Sequence, residues 1–189
     1  MMQAARKPGA ARTALKIDMV VESDLWKQHD VKAIVRRAVA QAGAMLSTSA
    51  AELAILLTDD SAIRSLNRTW RGVDKATNVL SFPTARAGGR PPLIGDIVLA
   101  FETIAREARA QRKPFAHHVA HLAVHGFLHL IGFDHVRHED AEAMEQVERD
   151  VLRRLAIPDP YCPRPRTKKT RTTRTRPLTR DVSDHVTTG

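Results

Sequence analysis

The alternation of apolar and polar residues along the chain predicts four short strands. Residues 14–21 alternate between the two classes, which is typical of a strand with one buried face. Three short apolar runs, at residues 52–58, 78–82 and 93–100, have the length of buried strands. The stretch at residues 85–92 is rich in Gly, Pro and Arg and is therefore predicted to be a loop.

Apolar residues that recur three and four positions apart predict five helices. The first helix ends at Met45, and either Asp24 or Asp30 is expected to cap its start. Pro114 separates two of the later helices, because proline cannot continue a helix through its interior. The other four helices are predicted over residues 59–70, 102–113, 115–131 and 139–156.

The order of these elements predicts the architecture. Strands concentrate in the first half of the chain and helices in the second, and no internal repeat is present. This order is typical of an α+β fold, here a small four-stranded sheet covered by helices.

The 189 residues fit one domain, predicted at residues 14–162. Residues 1–13 are expected to be a flexible basic N-terminus. Residues 163–189 are expected to be a disordered tail, because they contain almost no large apolar side chains.

The positive charge of the chain is concentrated in these two flanking segments. The whole sequence carries 30 basic and 21 acidic residues, a net charge of +9. Residues 163–189 contain eight basic and two acidic residues, and residues 1–13 contain three basic residues and no acid, so the remainder is neutral. Basic tails attract phosphate without regard to sequence, but they are also common as solubilising extensions, and the sequence favours neither role.

The sequence argues against a membrane-spanning protein, a secreted protein and a disulfide-bonded protein. The sequence contains no apolar run long enough to cross a membrane. The basic N-terminus lacks the continuous apolar stretch of a secretory signal. Cys162 is the single cysteine and has no partner for an internal disulfide, so a reducing cytoplasm is the expected location.

The segment HGFLHLIGFDH has the spacing of a metal site. His125 and His129 are four residues apart, so on a helix they lie on the same face. Gly132 can adopt the left-handed conformation that ends a helix, which lets the chain turn and bring His135 to the same point. Three imidazoles leave one tetrahedral position open, as in catalytic zinc sites. One Zn²⁺ per chain is therefore predicted, although imidazole also suits copper, iron and nickel.

Two further features of this helix bear on its chemistry. The spacing overlaps the metzincin protease pattern HExxHxxGxxH, but Gly126 stands where that pattern has its catalytic glutamate, which argues against a protease. His121 lies one turn before His125 and is interpreted either as a partner of the site or as a packed core residue. Asp134 either orients a histidine or caps the turn. His117 and His118 are expected to be solvated.

Arg71 is the second candidate site residue. It lies at the end of a predicted helix, before Gly72 and a strand. An arginine at this position suits phosphate binding, because its guanidinium donates two parallel hydrogen bonds and is permanently charged. An arginine near the carboxyl end of a helix is also favoured by the helix dipole alone. Spacing does not distinguish these two roles.

Several segments of the chain resemble the bacterial YbeY family of rRNA maturation endoribonucleases. They are TWRGVDKATNVLSFP, IGDIVLA and HLAVHGFLHLIGFDH, followed by EDAEAMEQVERDVLRRLAIPDPY. The resemblance extends over about residues 14–161. It implies a small mixed sheet covered by helices and a metal-dependent, single-strand-specific endoribonuclease. The implied process is 16S rRNA maturation and ribosome quality control, so RNA and the ribosome are the implied partners.

The family's functional residues match specific positions of this chain. Its three zinc ligands fall on His125, His129 and His135, and its functionally important arginine falls on Arg71. The chain departs from the family at three nearby positions without altering a ligand: Trp70, Ala76 and Phe133 stand where tyrosine, proline and tyrosine are usual.

Two other function classes remain open on the sequence. One is an RNA-binding or ribosome-assembly factor without catalysis in which zinc is structural, although structural sites normally use four protein ligands. The other is a metal-dependent hydrolase of a non-RNA substrate. His121, Asp134 and Asp96 are candidates for proton transfer, and the sequence favours none of them.

Overall fold

The structure, a computed structural model, describes residues 15–48, 51–84 and 93–162. The predicted loop at 85–92, the flexible N-terminus at 1–13 and the disordered tail at 163–189 lie outside the described residues and stay predictions. Within the described ranges, no helix is both long enough and apolar enough to span a lipid bilayer.

In the part of the chain that the structure describes, four strands form one mixed sheet: β1 (Lys16–Val21), β2 (Glu52–Thr58), β3 (Val79–Pro83) and β4 (Leu93–Ala100). Their order across the sheet is β1-β2-β4-β3. Strands β1, β2 and β4 run parallel to one another, and β3 pairs with β4 in the antiparallel sense. The four strands and the α+β class predicted from the sequence are confirmed.

Among the described residues, five α-helices accompany the sheet: α1 (Lys32–Met45), α2 (Asp60–Arg71), α3 (Phe101–Ala110), α4 (Phe115–Leu130) and α5 (His138–Arg154). Asp59 caps α2, because its side chain accepts a hydrogen bond from the amide of Ala62. The prediction that Asp24 or Asp30 caps α1 was wrong. Asp24 begins a separate 3₁₀ helix, and the residue before α1 is Val31, which makes no side-chain cap.

The 3₁₀ helix has a physical cause in the burial of Trp26. This indole is almost fully buried and donates a hydrogen bond of 2.7 Å to the carbonyl oxygen of Thr58 at the end of β2. The ring also packs edge-on against Phe101, with 5.3 Å between ring centroids. These contacts fix the chain at residue 26, so α1 cannot begin until the chain has turned away from the sheet.

The main core lies between one face of the sheet and the helices α1, α3, α4 and α5. Alternate residues of the two central strands point into it, which is the period of two expected for a strand. Helix α4 supplies ten of the buried residues, so it is the central helix of this layer. Helix α2 packs on the opposite face, where Ile63 contacts Leu80 and Val98 in a smaller cluster.

Two glycines allow α4 to approach β3 and β4 closely. A Cβ atom at Gly126 of α4 would lie 3.0 Å from Cγ2 of Ile97 and 3.1 Å from the hydroxyl oxygen of Ser81. Gly95 of β4 has φ +142°, and a Cβ there would lie against the carbonyl oxygen of Phe82 and 2.8 Å from Cδ2 of Leu130. The hydroxyl of Ser81 donates a 3.0 Å hydrogen bond to the carbonyl of Gly126. The helix is therefore held at a fixed distance from the sheet.

Replacing Gly95 with alanine should destabilise the fold strongly. The new Cβ would meet the backbone of β3 and also require a φ that side chains rarely adopt, so the free energy of unfolding should fall by at least ~2 kcal/mol. Gly72→Ala is the matched control, because Gly72 also has a positive φ but has nothing within 4 Å of its Cβ position. The free energy of unfolding of Gly72→Ala should fall by only about 1 kcal/mol. Urea denaturation of both variants tests this, and equal losses would contradict the steric role of Gly95.

Candidate metal centre

The end of α4 brings three histidine rings together. His125 and His129 are one helical turn apart, and α4 ends at Leu130. The amide of Phe133 donates to the carbonyl of Leu128, and Gly132, with φ +98°, turns the chain back. His135 in the following loop then faces the two helical rings, with ring centroids 5.5 Å from His125 and 5.0 Å from His129.

The three rings have the arrangement of a metal site. Each offers one nitrogen, and these nitrogens all lie within 4.8 Å of one another. His125 and His129 are half-buried, whereas His135 is exposed, so the cluster is open to solvent on one side. His138 is not part of this cluster; it lies at the start of α5 and pairs with Glu142 at 3.2 Å.

Hydrogen bonds determine which nitrogen of each helical ring carries the proton. The Nδ1 atom of His125 lies 2.8 Å from a carboxylate oxygen of Glu148, and that of His129 lies 3.0 Å from the carbonyl oxygen of Phe133. Both partners accept hydrogen bonds and have no proton to donate, so Nδ1 is the donor in both rings. In the neutral form of each ring, the Nε2 atom then carries the free lone pair.

These two Nε2 atoms lie 3.2 Å apart. Two lone pairs at this distance repel unless a proton or a metal ion lies between them. Tetrahedral zinc binds imidazole nitrogens at ~2.0–2.1 Å, which places two such nitrogens roughly 3.3 Å apart. The donor set therefore fits a tetrahedral metal ion in both chemistry and spacing.

Glu148 of α5 is the residue of this site that the sequence reasoning missed. Its side chain is fully buried, and it accepts hydrogen bonds from His125, from Nε2 of His121 at 2.9 Å and from the hydroxyl of Tyr161. Burial alone would raise the pKa of Glu148, but the hydrogen bonds from the two histidines outweigh it and lower the pKa to about 2. The carboxylate is thus ionised inside the protein.

A signal for Glu148 was present in the sequence. The residue lies on the same stripe of α5 as Met144, Val151 and Leu152, which are all buried. A charged residue on a buried stripe is rare unless it is paired, so its position indicated a buried partner. The sequence could not identify that partner as His125, because the contact joins two different helices.

The structure distinguishes between the alternative roles of the other candidate residues near the histidines. His121 is the partner of the site rather than an isolated core residue, since it shares Glu148 with His125. Asp134 caps the turn, because its carboxylate accepts a 2.7 Å hydrogen bond from the amide of His135. Asp96 faces away from α4, since it pairs across the sheet with Phe82 of the smaller cluster.

The expectation that His118 is solvated was wrong. Its side chain is buried, and its Nε2 lies 2.9 Å from a carboxylate oxygen of Glu107 on α3. Burial lowers the pKa of His118 despite this hydrogen bond. The residue faces α3 because the first turn of α4 packs against that helix and is not free in solvent.

Arg71 is the last residue of α2, before the left-handed Gly72. Its Nη2 donates a 3.3 Å hydrogen bond to the carbonyl of Ser81, whose hydroxyl in turn binds the carbonyl of Gly126 beside His125. Arg71 is exposed and forms no salt bridge with any residue that the structure describes. Most of its hydrogen-bond donors are therefore available to a ligand.

Comparison with known proteins places the chain in a family. The sequence model of the family described as Endoribonuclease YbeY matches residues 17–156. The chain belongs to the endoribonuclease YbeY family. A protein of that name from Bradyrhizobium diazoefficiens is 50% identical over 79% of this chain and 87% of its own length. Endoribonuclease YbeY of Nitrobacter hamburgensis is 50% identical over 79% of this chain and 83% of its own length, and that of Nitrobacter winogradskyi is 51% identical over 77% and 82%. The resemblance inferred from the sequence is confirmed by these YbeY relatives.

Proposed function

We propose that the protein is a zinc-dependent endoribonuclease specific for single-stranded RNA, acting in 16S rRNA maturation and ribosome quality control in the cytoplasm. One Zn²⁺ per chain is held by His125, His129 and His135. The observation that carries this proposal is the pair of Nε2 atoms 3.2 Å apart, next to a third imidazole. Membership of an endoribonuclease family favours RNA cleavage over a non-catalytic RNA-binding factor and over a hydrolase of another substrate.

Zinc is the ion that best suits this donor set. The three ligands are neutral imidazoles from a helix and its exit turn, and zinc accepts such nitrogen ligands in tetrahedral geometry. The exposed side of His135 leaves room for a fourth ligand from solvent or substrate. When bound, the ion supplies Lewis acidity toward a phosphate oxygen or a water molecule.

Arg71 supplies the charge that the histidines lack. Its guanidinium is always protonated and can bind two oxygens of a phosphate at once. The hydrogen bond to Ser81 fixes the side chain to β3, and Ser81 is itself bonded to α4 beside His125. We therefore assign Arg71 to the scissile phosphate, where it stabilises negative charge that increases in the transition state.

The basic flanking segments extend this role to substrate binding. Residues 1–13 and 163–189 hold eleven basic and two acidic residues, whereas the rest of the chain is neutral. Contacts from such segments to phosphates are independent of sequence and weaken with salt. They would raise the affinity for rRNA and for the ribosome without adding sequence specificity.

Loss of one imidazole should abolish stable zinc binding and RNA cleavage together. His129→Ala removes one of three ligands, so the zinc content of the purified variant should fall well below one per chain, and cleavage of single-stranded RNA should fall to the level of chelator-treated parent. His138→Ala is the matched control, because His138 is close in sequence but outside the cluster. Elemental analysis and a cleavage assay measure both effects. Full zinc occupancy in His129→Ala would refute this ligand set.

Arg71→Ala should impair turnover without affecting the fold or the metal. Removal of one transition-state hydrogen-bond donor typically lowers kcat by about 10²–10³-fold. Arg68→Ala removes the same charge one turn earlier on the exposed surface of α2 and should retain most of the parent activity. The comparison requires equal zinc content and melting temperature in all three proteins. A kcat equal to that of the parent in Arg71→Ala would contradict the assignment of Arg71 to the scissile phosphate.

A further inference from the structure

Glu148 is a charged residue in a place where charge is unfavourable. Its side chain is fully buried on α5 among Met144, Val151 and Leu152. Removing a carboxylate from water costs several kcal/mol unless hydrogen bonds compensate for the lost hydration. A contact that only joined α4 to α5 could be made by apolar side chains at lower cost. A fully buried carboxyl group that hydrogen-bonds to His125, His121 and Tyr161 therefore indicates a role beyond packing.

The two oxygens of Glu148 have different partners. Oε1 accepts from Nδ1 of His125 at 2.8 Å, whereas Oε2 accepts from Nε2 of His121 at 2.9 Å and from the hydroxyl of Tyr161. Oε1 thus binds only His125 of the histidine cluster, and Oε2 is held in place by the two donors His121 and Tyr161. This anchoring fixes the direction of the carboxylate.

We propose that Glu148 is a positioning residue of the metal centre, which holds His125 as the Nδ1-protonated imidazole with its Nε2 directed toward His129 and His135. This inference rests on the proposed function, since it concerns the same three histidines. A carboxylate bound to the far nitrogen of an imidazole fixes the ring orientation and makes the other nitrogen a stronger ligand. His129 has only the neutral carbonyl of Phe133 in the corresponding position. Glu148 is therefore the charged partner that raises the affinity of the cluster for a cation.

Tyr161 connects this function to the segment after α5. Its ring packs edge-on against His121, with 5.5 Å between centroids, and the guanidinium of Arg149 lies 4.8 Å from the ring centroid on its face. The backbone amide of Tyr161 donates to Asp159 at 2.8 Å, which fixes the turn that carries the ring. The tyrosine hydroxyl is thereby held against the buried carboxylate.

The test is the zinc affinity of Glu148→Gln, measured by competition with a chromogenic chelator on metal-free protein at constant pH. Glutamine has the same shape but no charge, and loss of such a partner typically weakens metal binding by about 10–100-fold. Glu142→Gln is the matched control, because Glu142 is an exposed glutamate on the same helix. It should bind zinc within about twofold of the parent. Circular dichroism and the melting temperature of the metal-free proteins show whether the fold is retained.

The possible outcomes separate this inference from the proposed function. A parent that binds no zinc contradicts the proposed function and this inference with it. Parent-like affinity in folded Glu148→Gln, when the parent does bind zinc, contradicts the role of Glu148 alone.

A second measurement does not depend on any variant. Long-range ¹H–¹⁵N correlation spectra of the metal-free parent should show the proton of neutral His125 on Nδ1. A proton on Nε2 would overturn the inference even if Glu148→Gln failed to fold.

Discussion

The close packing of α4 against β3 and β4 is the constraint on which the rest of the structure depends. Gly126 removes the side chain that would keep the helix away from Ile97 and Ser81, and Gly95 leaves room for Leu130 at the next turn. A helix rotates by about 100° per residue, so His125 and His129 lie roughly 100° and 60° around the helix from Gly126, on a face turned to the side of the sheet contact. One helix can therefore form the centre of the core and still present two metal-binding side chains toward α5 and the exit turn.

The electrostatics of the site follow from that geometry. The face of α4 that carries His121 and His125 meets α5 at Glu148, where a buried carboxylate accepts three hydrogen bonds from side chains. Those donors compensate for the lost hydration of the carboxylate, and in our proposal the carboxylate in turn binds Nδ1 of His125 and so directs Nε2 at the cluster. The stability of the buried charge and the readiness of the histidines to bind a cation are two consequences of the same contacts. Arg71, on the far side of β3, is connected to this arrangement through Ser81.

Local patterns in the sequence were sufficient for the elements and for the gathering of the three histidine rings. The spacing of four between His125 and His129 and the glycine before His135 are local properties, and the structure brings the rings together as that spacing predicted. Their role as zinc ligands, like the phosphate role of Arg71, stays a prediction. What the sequence could not provide depends on tertiary contacts. Glu148 is 23 residues from His125, His118 is buried by α3, and Trp26 fixes a 3₁₀ helix where an aspartate cap was expected. Propensity and periodicity do not encode which helix packs against which.

X-ray absorption spectroscopy of the zinc-loaded protein tests the central claim most directly. The account predicts a tetrahedral first shell of three imidazole nitrogens and one further light atom at about 2.0–2.1 Å. It also predicts that His129→Ala retains too little zinc to give this shell. A sulfur scatterer at about 2.3 Å, which would bring in the exposed Cys162, or a six-coordinate shell of oxygen atoms would contradict it.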